Sequence, residues 1–514
     1  MKRVFTLMVL MAITLTVVAQ TTLTDFTKLR SSSLAGMAVA KLEGSGDHHY
    51  LYHQRVAVAP RHYETDDVQR VQKECCDAPS VSITHPDDFI FEGFYEGTNE
   101  LYVVYSNYNR RAKTYGLYVN AVSKTEFTAE WQPQPILTIP DRRNGSTHVR
   151  VAISPDGGKA ALFIPTSSRD ANIRKSTLIV LGDKGKTLWN SILEFTDAEM
   201  EYQIPDLSVT NNGTVFLAAI SYSNPTRRHR NDETFHLYEI TSELITCISQ
   251  PVDFGYLCNA RLLLKANGDI AAGGYFTNNL KNKPQGLFLM LVDRDSDYVK
   301  NISYQQFPDE YYDSRGASLL KFKPARMSVE ADGLYEFADG SLVMLGEQRE
   351  TLASSSTSNS GETTTSYFYH CGDILVHFAD TTGALGDMSM IHKYQITGPR
   401  LNPTPLQELR CYGYSNFVIR QGDSLRIFFA DDYENYYGRS GLPLRGFNDR
   451  YGMAFFTVTS NHTVTNPELL FNPHQEKRKV SQPLFIDKEG LLVIGMDLNS
   501  ICLTLLYNLE LFNR

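Results

Sequence analysis

The chain has 514 residues, 42% of them hydrophobic, and a formal net charge of −9 at pH 7. Such a composition excludes wholesale disorder, and the acidic balance argues against a general nucleic-acid binder. Aromatic residues reach 11%, with Tyr (29) and Phe (27) far above Trp (2), a mix that suits β-strands.

Residues 1–19 read as a secretory signal peptide. Lys2 and Arg3 supply the charged start, 4–18 is an apolar run, and Val17-Val18-Ala19 gives small residues before a cut. The run is shorter than the roughly 20 residues that span a bilayer, and the mature chain holds no second candidate. The expected location is therefore exported, periplasmic or extracellular. Residues 20–80 form an N-terminal segment in which GMAVAKL (36–42) or HYLYHQRVAVA (49–59) looks like strand material. The stretch 61–80, with DDVQRVQKECCD, reads as irregular or briefly helical.

From residue 81 to 514 one unit recurs: an apolar run, a tight Gly turn with Asp, Asn or Glu, and a second apolar run. It appears around Gly97, Gly157, Gly213, Gly268, Gly340, Gly422 and Gly490. Behind each hairpin come a polar loop, a third run, another turn and a fourth run. The unit at 260–307 shows this in full: ARLLLK, IAAGGYF, the loop TNNLKNKPQ, GLFLMLV, the turn DRDSD, and YVKNISYQQF. Four strands per unit at a period above about 50 residues is the arithmetic of propeller blades. The expected fold is all-β, a β-propeller of seven four-stranded blades, with six or eight also fitting the spacing. The last unit ends with room for little more than a third strand. An open ring would expose an edge, so N-terminal strand material is expected to complete the last blade.

The hairpin ISPDGGKAALFI (153–164) is similar to the SPDG hairpin of TolB-like propellers. Residues 338–395, with DGSLVMLGE and GDILVHFADTTGALGDMSMIHKYQ, resemble the blades of uncharacterised exported bacterial β-propellers. The resemblance extends more weakly over about 85–510. It implies a fold and an exported setting but no activity, because propellers serve many unrelated functions.

No motif of a serine hydrolase elbow, a zinc protease or a phosphate-binding loop occurs. Asp293, Asp295 and Asp297 open like a calcium loop but lack its Gly and Glu, and they fall where the repeat needs a turn. His48, His49, His53 and His62 cluster near the start and read as surface histidines. Asp431, Asp432 and Glu434 could divide acid and base roles on a sugar, while Tyr433, Tyr436 and Tyr437 suggest a stacking surface. Cys247 with Cys258, and Cys371 with Cys411, flank connections and are candidate disulfides in an exported chain. No catalytic residue, metal or cofactor is assigned.

The loops joining second to third strands share one face of a propeller. In the first four units they carry Arg110, Arg111, Lys113, Arg169, Arg174, Lys175, Arg227, Arg228, Arg230, Lys281 and Lys283 against Asp170, Asp232 and Glu233. Units five and six reverse the balance, with Glu347, Glu350, Glu362, Asp431, Asp432, Glu434 and Asp449 against Arg349, Arg439, Arg445 and Arg450. An acidic chain thus presents a basic arc, suited to an anionic glycan or protein surface. Two long loops join the same face: 351–368, Ser/Thr-rich and mobile by composition, and 431–451, aromatic and more structured. The expected function is a non-catalytic binding or scaffolding module recognising its partner through this face. The alternatives are a carbohydrate-active enzyme on the same scaffold, and a cell-envelope or secretion-machinery subunit.

Overall fold

The computed structural model describes residues 26–30, 37–43, 48–54, 63–72, 80–86, 88–140, 149–167, 175–195, 200–226, 229–279, 283–294, 296, 298–308, 328–357, 363–396, 416–421, 423–432, 451–471, 483–486, 491–497 and 500–506. The signal-peptide reading at 1–19 and the Tyr-rich loop at 433–450 lie outside them.

Among the described residues the strands pair into antiparallel sheets, seven of four strands and one of five. In chain order they cover 37–86 (sheet 1), 89–140 (sheet 2), 150–194 (sheet 3), 200–251 (sheet 4), 256–306 (sheet 5), 328–396 (sheet 6), 417–471 (sheet 7) and 483–506 (sheet 8). Each of the first seven runs in sequence order across the sheet, a meander. The fifth strand of sheet 6 is the short Gln395–Ile396, which pairs beside Cys371 and His370. The first strands of sheets 1 to 6 contact one another in succession, so they lie innermost and the fourth strands outermost. This is the architecture of a β-propeller.

Sheet 8 is completed from the other end of the chain. Phe26–Arg30 pairs antiparallel with Ser500–Leu506, and takes the outermost place. Closure by N-terminal strand material is thus present, but through 26–30 and not through 36–42 or 49–59. Those two segments supply Met37–Glu43 and His48–Gln54, the first hairpin of sheet 1. The stretch read as irregular or helical contains Tyr63–Gln72, a ten-residue strand. Val68 on that strand is fully buried against Phe94, Leu101 and Val103 of sheet 2. Burial of that kind, worth about 1.5–3 kcal/mol for a large aliphatic side chain, overrides the polar look of DDVQRVQ. The expectation of seven blades is therefore corrected. Among the described residues five consecutive sheets from 89 to 391 run as the full four-strand meander, and further sheets stand on either side of them.

Among the described residues, six apolar cores lie between successive sheets. One packs Tyr95 and Leu117 of sheet 2 on Leu162 and Ile179 of sheet 3. Another sets Phe235 of sheet 4 against Phe276 and Phe288 of sheet 5, and a third joins Val376 of sheet 6 to Ile427 of sheet 7. The second and third strands carry this load: all eight residues of Ile270–Thr277 are buried. The fourth strands alternate, half facing solvent, as Ile245–Pro251 does.

The glycine turns form as the repeat requires. Gly157 N donates to Ser154 O (2.8 Å), Gly213 N to Thr210 O (2.9 Å), Gly268 N to Lys265 O (3.0 Å) and Gly340 N to Phe337 O (3.0 Å). These four glycines have φ of +75°, +88°, +92° and +84°, a region where a side chain is strained. Gly422 and Gly490 lie outside the described residues. The Ser/Thr-rich stretch is not a loop. Leu342–Thr357 and Thr363–Ala379 continue as one long hairpin, paired residue by residue out to Thr357 and Thr363. No helix among the described residues is long and apolar enough to cross a membrane.

Candidate functional site

The innermost strands do not run straight. A register shift interrupts the first strand of sheet 2 between Phe91 and Gly93, of sheet 4 between Gln203 and Asp206, of sheet 5 between Leu257 and Asn259, and of sheet 6 between Ala331 and Gly333. The extra residues include Glu92, Cys258 and Asp332. A bulge re-aims side chains that regular pairing would hold to one face. Polar contacts then link one inner strand to the next. Arg150 Nη1 donates to Pro205 O (3.2 Å), Arg261 Nη1 to Asp206 Oδ1 (3.2 Å) and Arg261 Nε to Ala331 O (2.9 Å). Asn259 Nδ2 donates to Val329 O (2.9 Å). Burial pulls the Arg150 guanidinium below its ordinary value, opposed by Asp206 and aided by Arg261.

The belt leads into a buried ionic network in sheet 6. Arg349 donates to Glu347 Oε2 (2.7 Å), to Glu330 Oε2 (3.0 Å) and to Asp332 Oδ1. Asn416 Nδ2 donates to the other oxygen of Asp332 (2.7 Å). Lys393 Nζ donates to Glu347 Oε1 and to Gln395 Oε1 (3.2 Å). Asp373 accepts the backbone N–H of Lys393 (3.0 Å), and Asp431 Oδ2 that of Tyr394 (2.9 Å). Burial alone would lower the Arg349 guanidinium, but Asp332, Cys371 and Glu330 outweigh it and hold it above its ordinary value. Each charge here has a partner of opposite sign or a hydrogen bond, as a buried charge needs.

Sequence reasoning missed this network because it placed Glu347, Arg349 and Glu350 in a loop. All three belong to the strand Leu342–Thr357, where Glu347 is fully buried. Asp431 likewise sits on a strand, Ser424–Asp432, and is fully buried. It therefore does not offer an open carboxylate to a sugar. The available signal was the alternation Glu347, Arg349 on a strand running straight on from LVMLG.

The candidate basic arc is described at few positions. Arg110, Arg111 and Lys113 occupy the four-residue turn between Glu100–Asn109 and Thr114–Ser123 and are exposed. Asn109 Oδ1 accepts the N–H groups of Arg111 (3.1 Å) and Ala112 (3.0 Å), and Lys113 takes φ +52°. The turn is fixed by its own hydrogen bonds. Lys175 pairs with Glu194 at 2.7 Å across two strands, and Lys283 is half-buried. Arg230 lies within His229–Ile240. Arg169, Arg174, Arg227, Arg228, Lys281, Tyr433, Tyr436 and Tyr437 lie outside the described residues.

Cys247 is a free, exposed thiol; Cys258 is exposed and Cys371 is buried. The Cys247–Cys258 disulfide is therefore not formed; Cys411, the expected partner of Cys371, lies outside the described residues. Cys247 instead lies 3.5 Å from Ser249 Oγ, whose hydroxyl is 2.8 Å from His236 Nδ1. Asp293 accepts from Lys300 (3.1 Å) and from the Ser296 N–H (3.2 Å), which makes it a turn residue. Among the described residues no cluster of three or more His, Cys, Asp or Glu is placed to hold a metal.

No protein-family model matches the sequence, and no curated protein matches it. Among solved structures, the chain is similar to the β-propeller domain of the Trilobed protease from Pyrococcus furiosus. That match has 8% identity and a TM-score of 0.36, and covers 85% of this chain and 96% of that one. It is also similar to prolyl oligopeptidase B from Galerina marginata (8% identity, TM-score 0.40, 92% of this chain and 55% of that one). An acylaminoacyl peptidase from Pyrococcus horikoshii gives 7% identity and a TM-score of 0.36, covering 91% of this chain and 58% of that one. The chain spans little more than half the length of these two peptidases.

Proposed function

We propose that the chain is an exported, non-catalytic β-propeller module that binds or scaffolds an anionic partner, an acidic glycan or an acidic protein surface. The observation that carries this reading is the 110–113 turn. Three cations stand on a tight, internally hydrogen-bonded loop, and none forms an ion pair with a described residue. A fixed display of exposed charge loses little entropy on binding and steers an oppositely charged partner. The burial of Asp431 supports the same reading, because it removes a carboxylate on which the sugar-hydrolase alternative relied.

The test is retention on two immobilised polyanions, sulfated dextran and polyglutamate. The triple variant Arg110→Glu, Arg111→Glu, Lys113→Glu is expected to elute at clearly lower salt than the parent from at least one of them. Elution of both proteins at the same salt on both supports would sink the proposal. Release of sugar from the sulfated dextran would favour the enzyme instead.

A further inference from the structure

Past Arg349 the second strand of sheet 6 leaves the propeller. The first strand pairs with it only from Leu342 to Arg349, and the third strand meets no outer neighbour before His370, which pairs with Ile396. Among the described residues, 351–357 and 363–369 therefore pair with each other alone, as a two-stranded arm seven residues long. At about 3.3 Å per residue the arm reaches about 23 Å. It buries little: all five residues 353–357 are exposed, as are Thr363 and Thr364 opposite them. Towards the tip hydroxyls meet across the ladder, Ser355 Oγ with Thr365 Oγ1 (2.9 Å) and Thr357 Oγ1 with Thr363 Oγ1 (3.1 Å). A ribbon of two strands without an apolar face is marginal in water, and further strands are what make such a sheet stable.

The outer edge of 351–357 carries a row of backbone donors and acceptors with no neighbouring strand among the described residues. Proteins guard such edges against strand addition with prolines, charges or bulges. This chain does so at the rim of the propeller. Each outermost strand of the eight sheets contains a proline or a charged residue, as Pro135, Pro251, Lys300, Asp387 and Glu468 show. The arm is left without a guard. Its edge reads Thr-Leu-Ala-Ser-Ser-Ser-Thr, with no charge and no proline, and its register is unbroken from Arg349 to Thr357.

We propose that the arm is a dimerisation element, whose edge 353–357 pairs antiparallel with the same edge of a second copy of this chain. Two hairpins then become one four-stranded sheet. A strand laid antiparallel on its own copy is two-fold symmetric, so the contact closes with both edges covered. With the axis at Ser355, the centre of the exposed run, Ala353 faces the second copy's Thr357 and Ser354 faces its Ser356. Charge favours this place of contact over the propeller bodies. At a net charge of −9 two bodies repel, whereas the arms are neutral and longer than the screening distance of about 8 Å at physiological salt. The proposal concerns a surface other than the 110–113 turn and does not rest on the anionic partner.

The test is the oligomeric state of the full chain, by light scattering and sedimentation equilibrium over a range of concentrations. The parent is expected to be a reversible dimer. Replacing 352–368 by Asn-Gly, a two-residue turn between the paired Thr351 and Tyr369, should leave a monomer that melts at the parent's temperature. The double variant Ser354→Lys, Ser356→Lys sets Lys against Lys and should dimerise about tenfold more weakly. Ser354→Glu, Ser356→Glu should do the same, and an equimolar mixture of the two should recover association, because each Lys then faces a Glu. A parent that is monomeric at every concentration, or a dimer that survives removal of the arm, would overturn the proposal. So would a Lys variant that associates as tightly as the parent, or a mixture no tighter than either variant alone.

Discussion

Lys393 Nζ and Glu347 Oε1 form an ion pair with both side chains fully buried. Glu347 also takes the Nε–H of Arg349, which reaches on to Asp332 and Glu330. Two cations thus hold three carboxylates of one sheet, and the network ties the second strand of sheet 6 to its bulged inner strand.

Removing the guanidinium takes a buried cation away from both Asp332 and Glu347, of which Glu347 keeps Lys393. Arg349→Met is therefore expected to destabilise the protein by about 3–5 kcal/mol, the usual cost of breaking a buried pair from one side. The deficit should shrink as pH falls, because the stranded carboxylates then take up protons and lose their charge. Urea unfolding of parent and variant at neutral and acid pH measures both effects. An equal loss at both pH values would show that packing, not charge, is what Arg349 contributes.

Gly346 makes room for a neighbouring sheet. A Cβ there would collide with the ring and hydroxyl of Tyr275, which is itself fully buried in the core between sheets 5 and 6. At Gly268 a Cβ would meet nothing within 4 Å, but the backbone holds φ at +92°. The same substitution thus has two different costs. Gly268→Ala is expected to lose about 1 kcal/mol from backbone strain. Gly346→Ala should lose about 3 kcal/mol or more, because core overpacking displaces an aromatic ring. Pairing Gly346→Ala with Tyr275→Phe should recover part of that loss, since the hydroxyl is among the closest clashing atoms. Thermal melts of the three variants decide it.

These two glycines also mark what could be read from the chain alone. Gly268 was legible, because a Gly beside Asn or Asp recurs at Gly157, Gly213, Gly268 and Gly340, where the turn demands positive φ. Gly346 looked like an ordinary residue of an apolar strand, since what it meets comes from 71 positions earlier in the chain. The same limit hid the ionic network: Lys393 and Glu347 are 46 residues apart, and no local pattern pairs them. Sheet 1 was misread for a different reason. Its first strands were spent on closing the ring, a role that Phe26–Arg30 fills, and DDVQRVQ shows no strand pattern until Val68 is seen in the core. The Ser/Thr composition of 351–368 predicts a mobile loop, but β-branched Thr also pairs well across a hairpin, as it does here.

Asp423 clamps two turns of adjacent sheets. Its Oδ1 accepts the backbone N–H of Ala338 at 2.7 Å, and its Oδ2 accepts the Ser460 hydroxyl at 2.7 Å. Similar links run between other neighbouring turns, as where Ala266 N donates to Glu336 Oε2 (2.7 Å). Asp423→Ala is expected to cost about 1–2 kcal/mol and to speed hydrogen exchange at the Ala338 amide. Asp423→Asn keeps an acceptor and should restore most of the protection. Unchanged exchange in the alanine variant would mean that the contact does not hold the turn.

Glu92 is the extra residue of the bulge in sheet 2, and burial raises its carboxyl to about 7. The hydroxyls of Ser106 (2.6 Å) and Tyr115 (3.4 Å) donate to it and oppose that rise without cancelling it. A carboxyl whose folded value lies above its unfolded value of 4.5 holds its proton in the folded state while the unfolded chain has released it. Its contribution to stability is therefore greatest below about pH 4.5, falls as pH rises, and is flat again above about pH 7. The fall cannot exceed about 3–4 kcal/mol, the full value of such a shift, and solvent reaching the partly buried carboxyl reduces it. Glu92→Gln carries no proton to lose and keeps a partner for the two hydroxyls. Relative to the parent it should gain stability steadily between about pH 4.5 and 7 and hold a constant advantage beyond. Urea midpoints across that range test the sign: a variant that gains nothing as pH rises would show that Glu92 is ionised in the folded protein throughout.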